Sequence, residues 1–259
     1  MTLRLDPIIE GNEDGDTLVF VHGWPDSAAL WDDAVDAFRA THRCVRVTMP
    51  NFDGARTTRK GYTTLEIIEA LVALIREVGR GKPVTLVLHD WGSYWGHAAH
   101  HRVPELVSRV ATLDVGPHYS PSVFAMLGIV TYQWWLFGAF AIGGPIGDGM
   151  TRASARVLQV PRPASELTSW MNYPYRNIWL DLFSGRGKQL TKGYWPTCPL
   201  LFVYGKKKPF MFHSAAWVDH VRKNGGAGSE VVGLECGHWV TKDPAFVEIL
   251  RRFLDGSAG

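Results

Sequence analysis

The run Val84-Thr85-Leu86-Val87-Leu88-His89-Asp90-Trp91-Gly92 constrains the fold more than any other part of the chain. Pro83 to Leu88 reads as a buried strand, and a helical pattern reaching to about Val103 follows it with no room for a loop. A strand that reverses at once into a helix throws one side chain out over the sheet edge in a strained conformation. It also aims the first N–H groups of the helix at whatever that side chain attacks. Asp90 stands at that point, and Gly92, two residues on, supplies the clearance that a tight turn needs. Ser93 is a rival nucleophile by type, but Trp91 and Trp95 flank it at two residues either side, where a tight elbow has no space for them.

The rest of the chain carries the pattern that such a turn demands. Thr17–Val21, Arg43–Thr48, Val107–Leu113, Pro199–Tyr204 and Glu230–Leu234 read as strands. Between them, Asp26–Thr41, Thr63–Gly79, Ser214–Lys223 and Pro244–Leu254 read as helices. The clearest is Thr63–Gly79, where Thr63 and Glu66 form a capping box and Ile68, Leu71, Val72 and Ile75 line one face. Continuous apolar strands separated by amphipathic helices imply an α/β fold with a mostly parallel central sheet covered on both faces. Such sheets carry their chemistry at the carboxyl ends of the strands. The alternation stops after Asp114. Residues 116–196 are rich in Trp, Tyr, Gly and Pro and read as short helices and loops, a helical lid inserted into one core made of residues 1–115 and 197–259.

Composition narrows the function. With 259 residues, 46% of them hydrophobic, one large core is within reach. The net charge of +2 is spread out, and Lys206-Lys207-Lys208 is the only compact basic run, so no nucleic-acid partner is expected. Cys44, Cys198 and Cys236 give neither a disulfide framework nor a zinc pattern, and residues 1–6 lack the apolar core of a signal peptide, so a cytoplasmic location is expected. Val123–Ile142 is long and apolar enough for a membrane span. Thr131, Tyr132 and Gln133 at its middle and the lack of flanking basic clusters predict a buried or pocket-lining element instead. His97 and His101 share a helix face, but no third ligand accompanies them, and neither metal nor cofactor is expected. The abundant aromatics suit a pocket for a small apolar organic substrate.

Three motifs then fall into one order: His22-Gly23-Trp24-Pro25 after a strand, His89-Asp90-Trp91-Gly92 at the elbow, and Glu235-Cys236-Gly237-His238-Trp239 after the last strand. Over nearly its whole length the chain resembles the α/β-hydrolase superfamily. Within it, the first two motifs resemble the aspartate-nucleophile branch of epoxide hydrolases and haloalkane dehalogenases. The resemblance implies an ester intermediate on Asp90, hydrolysed by water that His238 activates, with the Trp24 and Trp91 N–H groups as oxyanion hole. His22, Gly23, Trp134, Trp135, Trp179 and Trp239 are the expected surroundings of the substrate.

Leu88 departs from the small residue usual two positions before the nucleophile. The superfamily's common site for the triad acid, three residues past Gly205, holds Lys208, which cannot orient an imidazolium. Asp114, at the end of the preceding sheet strand, is the expected acid, with Asp219 as the alternative. Tyr132 and Tyr175 resemble the paired tyrosines with which epoxide hydrolases protonate the opening ring, and they favour formation of a vicinal diol. The acid position leans the other way, toward a haloalkane dehalogenase using Trp91 and a second donor among Trp134, Trp135, Trp170 and Trp179. Lys208 also leaves open a non-catalytic hydrolase-fold binding protein. Besides substrate and water no partner is expected, and the chain is read as a monomer or homodimer.

Overall fold

A computed structural model describes residues 3–54, 58–190 and 192–256. Seven strands, β1 (Pro7–Gly11), β2 (Thr17–Val21), β3 (Arg43–Val47), β4 (Val84–His89), β5 (Val107–Leu113), β6 (Leu200–Gly205) and β7 (Glu230–Leu234), form one sheet in the order β1-β3-β2-β4-β5-β6-β7. β1 runs antiparallel to β3, and every other pairing is parallel. Side chains alternate across the sheet. Val19, Val21, Leu86 and Leu88 pack on one face with α2 (Thr64–Gly79), α3 (Trp91–Arg102) and α8 (Ala215–Asn224). Leu18, Phe20 and Val87 pack on the other with α1 (Asp32–Phe38) and α9 (Phe246–Leu254). The strands facing helices on both sides are the ones that read as continuous apolar runs.

The capping box of α2 forms as the spacing predicts, the Thr63 hydroxyl accepting from the Glu66 N–H and the Glu66 carboxylate from the Thr63 N–H. The helix expected over Asp26–Thr41 is shorter. Ser27 caps a 3-10 turn at Ala28–Trp31, and only Asp32–Phe38 is α-helical. β1 has no counterpart in the sequence reading, because it is an edge strand with three of its five residues exposed and no alternation to detect.

The larger difference lies between β5 and β6. Residues expected as short helices and loops contain α4 (Val123–Ile142), α5 (Gly144–Val157), α6 (Tyr173–Phe183) and α7 (Arg186–Leu190). α4 is apolar on all sides, so it lacks the period that marks an amphipathic helix. Nor is it a buried helix: Ala125, Ile129, Leu136, Ala139 and Phe140 are covered, while Val123, Phe124, Leu127, Trp134, Trp135 and Ile142 are exposed. Among the described residues it is the one helix long and apolar enough to cross a membrane.

Arginines tie the segment between β5 and β6 to loops that flank the sheet. Arg162 donates to the carbonyls of Pro25, Asp26 and Phe52, at 3.0, 2.9 and 2.7 Å. Arg59 donates to the Phe140 and Ala141 carbonyls at the end of α4, and Arg176 on α6 to the Lys60 carbonyl. Each contact satisfies a carbonyl that a loop or helix end leaves open.

Candidate active site

Asp90 links β4 to α3 with φ 53° and ψ −122°, a left-handed conformation costly for a residue with a side chain. The surrounding glycines make the turn possible. A Cβ on Gly92 would lie 2.2 Å from the Val21 carbonyl oxygen, and one on Gly23 would lie 2.4 Å from the Asp90 carboxylate. The large Leu88 is accommodated by Gly96, one turn into α3, where a Cβ would fall 2.5 Å from the leucine methyls. Ser93 turns into the core, fully buried, and accepts from the Thr112 hydroxyl at 2.9 Å.

The Asp90 carboxylate is held unevenly. Its Oδ2 accepts from the Trp24 N–H at 2.7 Å, and the Trp91 N–H also donates to the group. Its Oδ1 lies 3.6 Å from His238 Nε2. Burial pushes the Asp90 carboxyl above the usual range, against the pull of His238 and of the two backbone donors.

On the far side of the imidazole, His238 Nδ1 donates to Asp114 Oδ2 at 2.5 Å. Asp114 ends β5 with φ 68° and is wholly buried. Its Oδ1 accepts from the Gly205 N–H at 3.0 Å and forms an ion pair with the Lys208 ammonium, which is itself nearly buried. Burial alone would raise the Asp114 carboxyl, but His238 and Lys208 outweigh it and hold the group at about 2. Burial lowers His238, yet the carboxylates of Asp114 and Asp90 raise it above the usual histidine value. Asp219 is exposed on α8 and faces Lys223 at 3.9 Å.

A cavity of about 550 Å³ opens over these groups, lined by Trp24, Asp90, Tyr132, Tyr175, His238 and Trp239 together with the 157–159 and 207–212 loops. The rings of Tyr132 and Tyr175 meet edge to face at 5.7 Å, and burial pushes both phenols well above their usual range. The Tyr175 hydroxyl also meets the Trp91 side chain. The Trp24 indole is committed elsewhere, its Nε1 donating to Asn172 Oδ1 at 2.8 Å.

Other expected pocket residues lie outside the cavity. His22 is fully buried and serves the backbone: Nε2 accepts from the Met49 N–H at 2.9 Å and Nδ1 donates to the Gly23 carbonyl at 2.7 Å. Gly23 contributes space for Asp90 rather than a wall. Trp134 packs on Trp179 at 5.1 Å, and the Trp135 indole donates to the Met150 carbonyl, both tryptophans on the outer side of α4. Helix phase explains Trp134, which stands two residues from the cavity-facing Tyr132 and so points away, whereas Trp135, three residues on, is drawn aside to α5 by its bond to Met150.

His97 and His100 both meet the Tyr194 hydroxyl, at 3.0 and 2.8 Å. Among the described residues no group of three or more His, Cys, Asp or Glu side chains is arranged to hold a metal ion. Two residues take roles that the sequence did not assign them. Lys208 reaches Asp114 only through the fold, and Asp26, buried beside the site, accepts from the Trp239 indole at 2.9 Å, with burial raising its carboxyl to about 6.

Residues 16–244 match the family model described as alpha/beta hydrolase fold. The chain is similar to the probable oxidoreductase EphD of Mycobacterium tuberculosis, 37% identical over 136 residues, which are 51% of this chain and 23% of the relative. It is 32% identical over 124 residues to the cis-3-alkyl-4-alkyloxetan-2-one decarboxylase of Shewanella oneidensis, covering 46% of this chain and 37% of the relative. Epoxide hydrolase 2 of Caenorhabditis elegans is 33% identical over 122 residues, 45% of this chain and 33% of the relative. The matched segments thus span about a quarter to a third of these relatives. A haloalkane dehalogenase DbeA loop variant from Bradyrhizobium elkanii superimposes with TM-score 0.72 at 17% identity, over 99% of this chain and 95% of that one. Epoxide hydrolase VrEH1 from Vigna radiata does so with TM-score 0.70 at 20% identity, over 97% and 94%.

Proposed function

This chain belongs to the alpha/beta hydrolase fold family, and from that premise we propose that it opens epoxides to vicinal diols through an ester on Asp90. One observation carries the reading: a carboxylate on the elbow shares a single cavity with two neutral phenols and an imidazole. Residues 116–196 act as the lid that brings the phenols there.

The two Asp90 oxygens divide the work. Oδ1, the oxygen facing His238 at 3.6 Å, attacks a ring carbon of the epoxide. The carbon–oxygen bond breaks, its electron pair stays on the ring oxygen, and Tyr132 or Tyr175 delivers a proton to it. Oδ2, already on the Trp24 N–H at 2.7 Å, becomes the carbonyl oxygen of the ester. His238 then removes a proton from water, which attacks the ester carbon, and the Trp24 and Trp91 N–H groups hold the developing oxyanion. Collapse releases the diol and restores the carboxylate, and the proton on His238 replaces the one the phenol gave up.

Ester formation also prepares the base. It cancels the Asp90 charge, one of the two that raise His238, so the imidazole loses affinity for its proton as the second step begins.

The competing reading, haloalkane dehalogenation through the same ester, draws on the position of Asp114 after β5. It needs free indole donors, and the Trp24 indole is occupied by Asn172 while that of Trp91 lies against Tyr175. Offering the purified protein a styrene-oxide-like epoxide and a bromoalkane in parallel separates the two, diol marking one and bromide the other. Turnover of neither would favour a hydrolase-fold binding protein. Tyr132→Phe and Tyr175→Phe keep the rings and remove the hydroxyls. Each is expected to slow epoxide turnover by roughly 10–10³-fold, the loss of one preorganised donor, and the double variant to be nearly inactive. Full epoxide activity in both single variants would overturn the assignment of the phenols.

A further inference from the structure

The outer face of the insertion is apolar where it meets the cavity. α4 and α5 form a helical hairpin closed at Gly143, so the start of α4 and the end of α5 share its open end. Val123, Phe124 and Leu127 there are 81%, 83% and 63% exposed, and Val157 is 81% exposed. Val157 and Leu158 are also cavity-lining residues, and so is Phe210, which lies within 3.3 Å of a Cβ built on Gly128 of α4. The apolar patch is therefore continuous with the rim of the cavity. Side chains of this size and exposure are rare on a surface that meets only water.

The segment that carries the patch is net basic. Residues 116–196 hold seven Lys and Arg against three Asp and Glu, a net +4 in a chain whose total is +2. Each of the three acids has a protein partner, and so do Arg152, Arg162, Arg176 and Arg186. Asp148 accepts from Ser169, Glu166 pairs with Arg162, and Asp181 takes the Thr64 hydroxyl and faces Arg186. Arg156, beside Val157, and Lys207, in the cavity wall, are exposed. An apolar strip bordered by cations matches the interface of an anionic bilayer, where acyl chains take the strip and headgroup phosphates take the cations.

We propose that the open end of the α4–α5 hairpin docks on anionic lipid surfaces and presents the mouth of the cavity to them. α4 lies on the membrane and does not cross it. Its inner side carries Tyr132 into the cavity and buries Ile129, Leu136 and Phe140, contacts that a spanning helix would give up. A substrate dissolved among acyl chains would then enter past Val157 and Phe210 without passing through water. The docking itself does not depend on which bond Asp90 attacks, and its test reads binding, so it can fail or stand apart from the catalytic reading.

The test is co-sedimentation of the whole protein with vesicles of phosphatidylcholine alone and of phosphatidylcholine mixed with phosphatidylglycerol. Binding is expected to the mixed vesicles only, and to weaken as salt rises. Phe124→Ser with Leu127→Ser should lower the affinity at least about tenfold, and Arg156→Glu by roughly fivefold or more, the scale of one basic residue at such a surface. Thermal unfolding of the variants at the wild-type temperature establishes that they are folded. Absence of binding to the mixed vesicles, or folded variants that bind like wild type, overturns the proposal. So does a concentration-dependent dimer that the Phe124→Ser/Leu127→Ser variant abolishes, since the patch would then belong to a second copy of the chain.

Discussion

Both oxygens of Asp114 are engaged, Oδ2 by the imidazole of His238 and Oδ1 by the Gly205 N–H and the Lys208 ammonium. Lys208, three residues past Gly205, stands where the family resemblance led to the expectation of a carboxylate, and from there it pairs with Asp114. Asp114→Asn is expected to slow hydrolysis of the ester by about 10²–10⁴-fold, the range of a lost acid–base contribution, with a smaller effect on ester formation. Single-turnover kinetics separates the two steps, and an equal loss from Asp219→Asn would defeat the assignment, because that carboxylate is exposed beside Lys223. Lys208→Met tests the cation alone. Lys208 lowers the proton affinity of His238, so its loss should raise that affinity and move the acid limb of ester hydrolysis to higher pH. An unmoved limb would mean that the lysine only fills space. Asp90 and His238 were legible in the sequence because each sits beside the glycines of a strand-ending turn. Lys208 was legible only as a misfit, since its partner is distant in the chain and only the adjoining ends of β5 and β6 bring them together.

The elements read from sequence with very different success, and the reason is what each helix touches. α2 faces the sheet with one side and water with the other, and its period and cap are plain in the sequence. α4 faces the cavity with one side and exposes apolar residues on the other, so no contrast marks its phase or its length. The join between β4 and α3 shows a third case, in which a departure from pattern is compensated locally. Leu88 fits because Gly96 leaves its methyls room. Since Leu88 is fully buried, Gly96→Ala should force it off its position and cost about 1–3 kcal/mol. Leu88→Ala alone should cost about 2–5 kcal/mol through the cavity it opens. The double variant should be more stable than the sum of the two predicts, because the new methyl enters that cavity. Urea unfolding of the four proteins measures the coupling, and strict additivity would show that the two residues do not share the space.

At the scale of the whole molecule, four buried histidines set how the protein responds to acid. His22, His89 and His97 are held down to about 3 and His100 to about 4, in each case chiefly by burial. Their unfolded value is about 6.5, so below that pH the unfolded chain binds protons that the native state refuses. Stability from these groups is therefore complete above about pH 6.5 and drains away as pH falls toward 4. One native carboxyl acts in the opposite sense: Asp26, raised to about 6 by burial, takes up a proton in the folded state over the same window. Among these five groups about three protons remain in favour of unfolding, a slope of about 4 kcal/mol per pH unit. Between pH 6 and 4 that is comparable to the total stability of an ordinary domain, about 5–15 kcal/mol. Urea midpoints measured from pH 7.5 down to 4.5 should hold steady at first and then fall steeply below about pH 6.5. His100→Asn puts an amide nitrogen where Nδ1 meets Tyr194 and removes one titrating ring, so its slope should be smaller by about one proton. A midpoint that stays level across the range would mean that water reaches these rings, and that the two cores on either side of the sheet are less closed than their packing implies.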